Sequence, residues 1–376
     1  MRILNHAVFC QQPGRYIGWP SIACTRSGEL LAVFSGDRDQ HVCPFGKVFL
    51  VRSSDNGLTW SAPRAIVDTP LDDRDCGITA CADGTLVITW FNSTYPRETY
   101  NKGCKAVTKA EKWPAWEKKL DTLTPAIIDR WTNALLDGAR RGHWIIRSTD
   151  NGLTWGAPIA VTPSAPHGLI ETADGRLLYL GNNGYDRTNK TSALVVTESK
   201  DKGLTWNELG RITMFPTGTG KDDRTPYLAE PHIVELAPGR LLGMARYEQF
   251  IRSADHPYVS HLWQFDSTDG GRTWTPPRPT PIVGKPPHLL KLPDGRLLVS
   301  YGVRHHKPLG IRACLSADGG KTWDMDHEIM LRDDAPGGDI GYPATTVCPD
   351  GTLVTVYYYP PEGGGLTLMA GTRWTL

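Results

Sequence analysis

Five copies of the pattern S-x-D-x-G-x-T-W, at residues 53–60, 148–155, 199–206, 267–274 and 316–323, constrain this chain more than any other feature. A repeat of that specificity means one supersecondary unit copied along the chain, each copy burying its apolar face against the next. A second repeat, an apolar run around a turn of the D-G-x-L type, occurs six times, with its glycine at Gly28, Gly84, Gly175, Gly239, Gly295 and Gly351. The steps are 56, 91, 64, 56 and 56 residues. Each unit then holds strand, Asp-Gly turn, strand, connection, strand, Asp-box turn and strand, the content of one four-stranded propeller blade. The prediction is an all-β, six-bladed β-propeller, a single domain over residues 1–376. No full box follows the sixth turn, so residues 370–376 are expected to complete the last blade with the N-terminal strand near residues 3–10.

Within a box the aspartate and glycine suit the tight turn, and the threonine and tryptophan pack between strands, so the box aspartates read as structural. The 91-residue step leaves unit two about 35 residues longer than the others, an insertion at about 92–144. Thr124 and Pro125 suit an N-cap and first helical position, and Ile127, Ile128, Trp131, Leu135 and Leu136 follow at helical spacing, so a partly helical insertion is expected. It would pack on the rim, or serve as a lid or an oligomer surface.

Composition agrees and excludes other classes. The 39 glycines, 29 prolines and 13 tryptophans suit many turns between short strands. A net charge of +1 with no long Lys/Arg run argues against a nucleic-acid partner. No window reaches eighteen apolar residues and the start lacks a signal-type apolar stretch, which predicts no membrane span and a cytoplasmic protein, or an exported one read without its leader. Eight cysteines without C-x-x-C pairs or zinc-spaced histidines read as reduced thiols, and no cofactor is expected.

The innermost strand of each blade lines the channel, so one register around the ring can aim side chains at a shared site. Nine residues before each turn glycine stand Trp19, Asp75, Pro166, Glu230, Pro286 and Tyr342. Near the same register His167, His232 and His288 recur, but no carboxylate accompanies them at ligand spacing, so they read as packing residues and no metal is expected.

With these boxes and this register the chain resembles the exo-sialidases of bacteria and animals, over essentially its whole length at the level of blade repeats. The resemblance implies a tyrosine nucleophile, matched by Tyr342 in G-Y-P-A-T, and a glutamate that takes its proton, matched by Glu230 in A-E-P-H. A phenol suits the task, because an anionic carboxylate nucleophile would be repelled by the carboxylate on the anomeric carbon of a sialic acid. The family grips that carboxylate with three arginines. Arg246 in G-M-A-R and Arg304 in Y-G-V-R-H-H match two; at the first, an R-I-P motif in the family, this chain reads Gly18-Trp19-Pro20. Arg38, Arg74 or Arg15 could stand in, and Asp75 and His305 are further candidate substrate contacts. The acid/base falls on the loop Gly36-Asp37-Arg38-Asp39-Gln40-His41, where context favours Asp39 and spacing favours His41.

The implied activity is exo-glycosidic release of a terminal α-linked sialic acid or related acidic sugar from a glycan. Two alternatives stand beside it: a uronate-acting lyase or other acidic-sugar glycosidase using His41 and Tyr342, and a non-catalytic carbohydrate-binding propeller.

Overall fold

The computed structural model describes residues 1–41, 46–93, 142–186, 191–213, 227–248 and 260–376. Six four-stranded antiparallel sheets stand in a ring. Their innermost strands are Tyr16–Cys24, Asp72–Ala80, Ile170–Glu171, Tyr227–Ala237, Lys285–Lys291 and Gly341–Val347. The ring closes as a clasp: Arg2–Cys10 pairs antiparallel with Leu368–Thr375, so the last blade takes its outermost strand from the N-terminus. The helix expected near residues 124–136 lies outside the described residues, and the described residues contain no α-helix. Accordingly, none is long and apolar enough to cross a membrane.

The hydrophobic core is divided. Six apolar clusters form, each straddling one boundary between neighbouring blades; Leu31, Val33 and Val48 of blade one, for example, pack on Ile78, Ile88 and Trp90 of blade two. Another joins Trp19 and Phe34 of blade one to Tyr342 and Tyr358 of blade six. Burial of this kind drives blades together rather than stabilising any one alone.

The boxes tie each blade's outer turn. In the first, Ser53 Oγ donates to Asp55 Oδ1 (2.8 Å) and accepts from Gly57 N (2.9 Å), while Thr59 N donates to Asp55 Oδ1 (2.9 Å). These donors, led by the Thr59 hydroxyl, hold the Asp55 carboxyl down at about 2. The carboxylate is consumed by its own turn, which leaves the box no chemistry to perform.

Candidate active site

The register counted from the turn glycines has a backbone signature. Trp19, Asp75, Glu230 and Tyr342 all adopt left-handed φ, at 55°, 52°, 51° and 50°. Each sits where its inner strand slips register against the next strand, between Gly18 and Ser21, Arg74 and Gly77, Ala229 and His232, and Gly341 and Ala344. A bulge re-aims one side chain, and four of them turn four side chains towards the channel axis. Left-handed backbone at a non-glycine residue costs on the order of 1–3 kcal/mol and concentrates at functional sites.

There Tyr342 Oη donates a short hydrogen bond to Glu230 Oε1, and Arg246 Nη1 donates to Glu230 Oε2 at 2.7 Å. Asn182 of blade three steadies the strand, its Oδ1 accepting from Glu230 N (3.1 Å) and its Nδ2 donating to Leu228 O (2.9 Å). Burial first, then the charges of Glu230 and Asp75, push the Tyr342 phenol well above its ordinary pKa. The hydroxyl therefore keeps its proton at rest, with a carboxylate already in place to accept it. Burial likewise raises the Asp75 carboxyl to about 6, reinforced by Glu230 and opposed by Arg74.

Arg304 lies 5.8 Å from the Tyr342 ring centroid and donates through Nε to Gly338 O (3.2 Å) and through Nη2 to Tyr358 Oη. Trp19, where the resemblance implies an arginine, is fully buried, with its ring edge-on to Tyr342 (6.4 Å) and to His41 (4.9 Å). The Arg74 guanidinium lies 4.5 Å from the Trp19 ring centroid and is the candidate stand-in that faces this region. Arg38 also lies over the Trp19 ring, 5.0 Å from its centroid, but it is wholly buried and holds Asp72 at 2.7 and 3.2 Å, with Ser35 Oγ and His41 O as further partners. Arg15 is committed to Asp39 (2.6 Å) and Asp37 (3.1 Å) on the loop. The two acid/base candidates thus separate, with Asp39 buried against Arg15 and His41 against Trp19 and Tyr16. His305 is exposed next to Arg304.

Three further residues, Tyr16, Asp339 and Tyr358, join the site without having been singled out from the sequence. Tyr16 Oη donates to Asp339 Oδ1 (3.1 Å), as does Tyr358 Oη (3.3 Å). Asp339 lies three residues before Tyr342 in G-G-D-I-G-Y, and that proximity was the available signal.

Deeper in the channel His167, His232 and His288 cluster with ring centroids 4.6–5.8 Å apart, His232 and His288 stacked and His167 edge-on to both. The Nδ1 atoms of His232 and His288 accept from Leu289 N (3.0 Å) and Thr345 N (3.3 Å), which ties neighbouring blades. Among the described residues no group of three or more His, Cys, Asp or Glu is placed to hold a metal. Beyond the histidines a cavity of about 910 Å³ opens at the other end of the channel, away from Tyr342.

The sequence profile of the BNR repeat-like domain matches residues 2–214 and 129–355, and the chain belongs to that family. A protein of unknown function from Dyadobacter fermentans DSM 18053 superposes over 100% of this chain and 99% of its own, at 23% identity and a TM-score of 0.74. The Hadza microbial sialidase Hz136 matches at 18% identity and a TM-score of 0.64, over 96% of this chain and 66% of its own. The α-L-arabinanase of Penicillium chrysogenum, complexed with arabinobiose, matches at 16% identity and 0.64, over 99% and 98%. At these identities the likeness is one of fold. In sequence, a Paenibacillus sp xyloglucanase is 30% identical over 218 residues, which is 50% of this chain and 19% of that enzyme.

Proposed function

We propose that the protein is a glycoside hydrolase that releases a terminal acidic sugar, a sialic acid or related ulosonic acid, from a glycan. The observation that carries this reading is the Tyr342–Glu230–Arg246 relay, built from blades six and four at one strained register. A neutral phenol attacks the anomeric carbon as Glu230 takes its proton, forming a tyrosyl glycoside and expelling the aglycone, which leaves with a proton from the blade-one loop. Water then attacks the same carbon, returning the phenol and retaining configuration. Arg246 aims Glu230 through its 2.7 Å hydrogen bond, and Arg304 and Arg74 supply cationic surface for the carboxylate in place of a blade-one arginine. Sialidase, arabinanase and xyloglucanase relatives fit a sugar-cleaving enzyme of this kind.

Incubation with a fluorogenic sialoside, with product anomers followed by NMR, is expected to show release of the α-anomer, and Tyr342→Phe is expected to abolish it. No cleavage of any acidic glycoside would sink this reading. His41 lying against Trp19, with Asp39 tied to Arg15, favours a second one, in which His41 and Tyr342 serve a uronate lyase. An unsaturated product with far-ultraviolet absorbance would establish that instead.

A further inference from the structure

Asp339 and His41 come from distant parts of the chain and meet because blade six closes against blade one. His41 Nδ1 lies 2.9 Å from Tyr16 Oη and 3.4 Å from Asp339 Oδ1. That same carboxylate oxygen receives the Tyr16 hydroxyl (3.1 Å) and the Tyr358 hydroxyl (3.3 Å), with Arg304 Nη2 at 3.7 Å. An ionised carboxylate only accepts hydrogen bonds. Burial pushes the Asp339 acid up, but His41, Arg304 and Tyr16 outweigh it and hold the group below the usual carboxylate range. Tyr16 keeps its proton, because burial first and Asp339 next raise its pKa well above the ordinary value.

Tyr16 has one proton to give. Donated to Asp339, it leaves Tyr16 Oη as an acceptor towards His41, and an acceptor at 2.9 Å requires a proton on Nδ1. Burial lowers the His41 pKa, with Arg74 and Arg304 acting in the same sense and Asp339 against them, so the resting ring is neutral and carries a single N–H. Nε2 is then bare, and no hydrogen bond reaches it among the described residues.

We propose that Asp339, directly and through Tyr16, is the positioning residue that fixes His41 as the Nδ1-protonated tautomer, so that Nε2 is the atom exchanging a proton with substrate. This rests on the reading of the site as a sugar-cleaving centre. A proton gained at Nε2 makes an imidazolium whose Nδ1–H faces Asp339, the arrangement by which a carboxylate supports a catalytic histidine. In the glycosidase reading that proton comes from solvent, passes to the leaving oxygen and is replaced by one from the attacking water; in the lyase reading it arrives from the sugar carbon.

The test is a two-bond ¹H–¹⁵N spectrum of the imidazoles in the ¹⁵N-labelled full chain, with His41 identified by the signals that His41→Asn removes. At neutral pH His41 is expected with Nδ1 protonated and Nε2 bare. An Nε2-protonated ring in the wild-type protein overturns the proposal without recourse to any variant. In Asp339→Asn the tautomer is expected to become mixed, His41 to titrate at lower pH, and kcat to fall at least about 10-fold with KM little changed, general acid–base groups contributing ~10²–10⁴-fold. A folded Asp339→Asn protein with unchanged tautomer and unchanged His41 titration shows Asp339 to be merely structural. Tyr342→Phe separates the two ideas: if it leaves turnover intact, the glycosidase reading fails while the spectrum still decides the His41 assignment.

Discussion

Arg38 shows how a candidate substrate ligand and a structural ion pair can be told apart. Its side chain and that of Asp72 are both 0% exposed and lie 2.7 Å apart, the arginine on blade one and the aspartate on blade two. Arg38→Met keeps the volume and removes the charge, leaving Asp72 buried without its partner. Breaking a buried pair from one side typically costs about 3–5 kcal/mol. A chain of 376 residues unfolds with an entropy of roughly 0.8 kcal/mol/K, from ~2 cal/mol/K per residue. A loss of about 4 kcal/mol therefore lowers Tm by roughly 5 °C. Differential scanning calorimetry reads the shift, and replacing both partners with apolar residues should recover much of it, because the pair's desolvation penalty goes with it. Fluorogenic turnover by the folded Arg38→Met protein should change much less than in Arg304→Met, whose guanidinium lies against the Tyr342 ring. If Arg38→Met left Tm untouched and selectively raised KM for an acidic substrate, Arg38 would be a substrate ligand and the assignment here would be wrong.

Glu230→Gln should lower kcat by about 10²–10⁴-fold, because an amide cannot take the Tyr342 proton; stopped-assay kinetics beside a melting curve distinguish this from unfolding. His167→Leu should stabilise the protein most at low pH. Both ring nitrogens of His167 are buried without a hydrogen-bond partner, and burial holds its pKa well below 6.5, so the folded state stays neutral while the unfolded chain takes up a proton as pH falls through that value. Urea midpoints at pH 5 and 7 should show the variant's advantage growing by up to ~1.4 kcal/mol per pH unit below about 6; a variant less stable at both pH values would mean that His167 has a partner. Gly46→Ala should destabilise, since an added Cβ would fall 1.9 Å from Arg38 Nη1 and 2.4 Å from Asp72 Oδ1; an unchanged Tm would show that this pair can give way.

Much of this was legible in the chain because a repeat converts counting into geometry. The turn glycines carry the blade period, and of the six residues nine positions before them the four that are not proline, Trp19, Asp75, Glu230 and Tyr342, share one left-handed conformation. What escaped does not follow the period. Asp339 belongs to the loop before its strand, and Tyr16 and Tyr358 reach the site from other positions on blades one and six, which the clasp makes neighbours. Asp72 lies 34 residues from Arg38 and meets it only when blades one and two pack. Asp39 and His41, two residues apart, would share a face of a regular strand, but the strand ends at Arg38 and Asp37 has φ 55°, so alternation no longer governs which way they point.

The site is therefore a property of the closed ring rather than of any blade. Four left-handed residues at about 1–3 kcal/mol each are sustained because each sits in a bulge clamped between apolar seams that no single blade could bury. The same argument explains why Tyr342 and Glu230 lie 112 residues apart in sequence yet need no local motif to find each other. Glu230 is presented by blade four, Tyr342 by blade six and His41 by blade one, and the pairing of Arg2–Cys10 with Leu368–Thr375 fixes the last of these relative to the others. Closure brings Asp339 against His41 as well, so the step that completes the fold also sets the electrostatics of the group placed to move a proton.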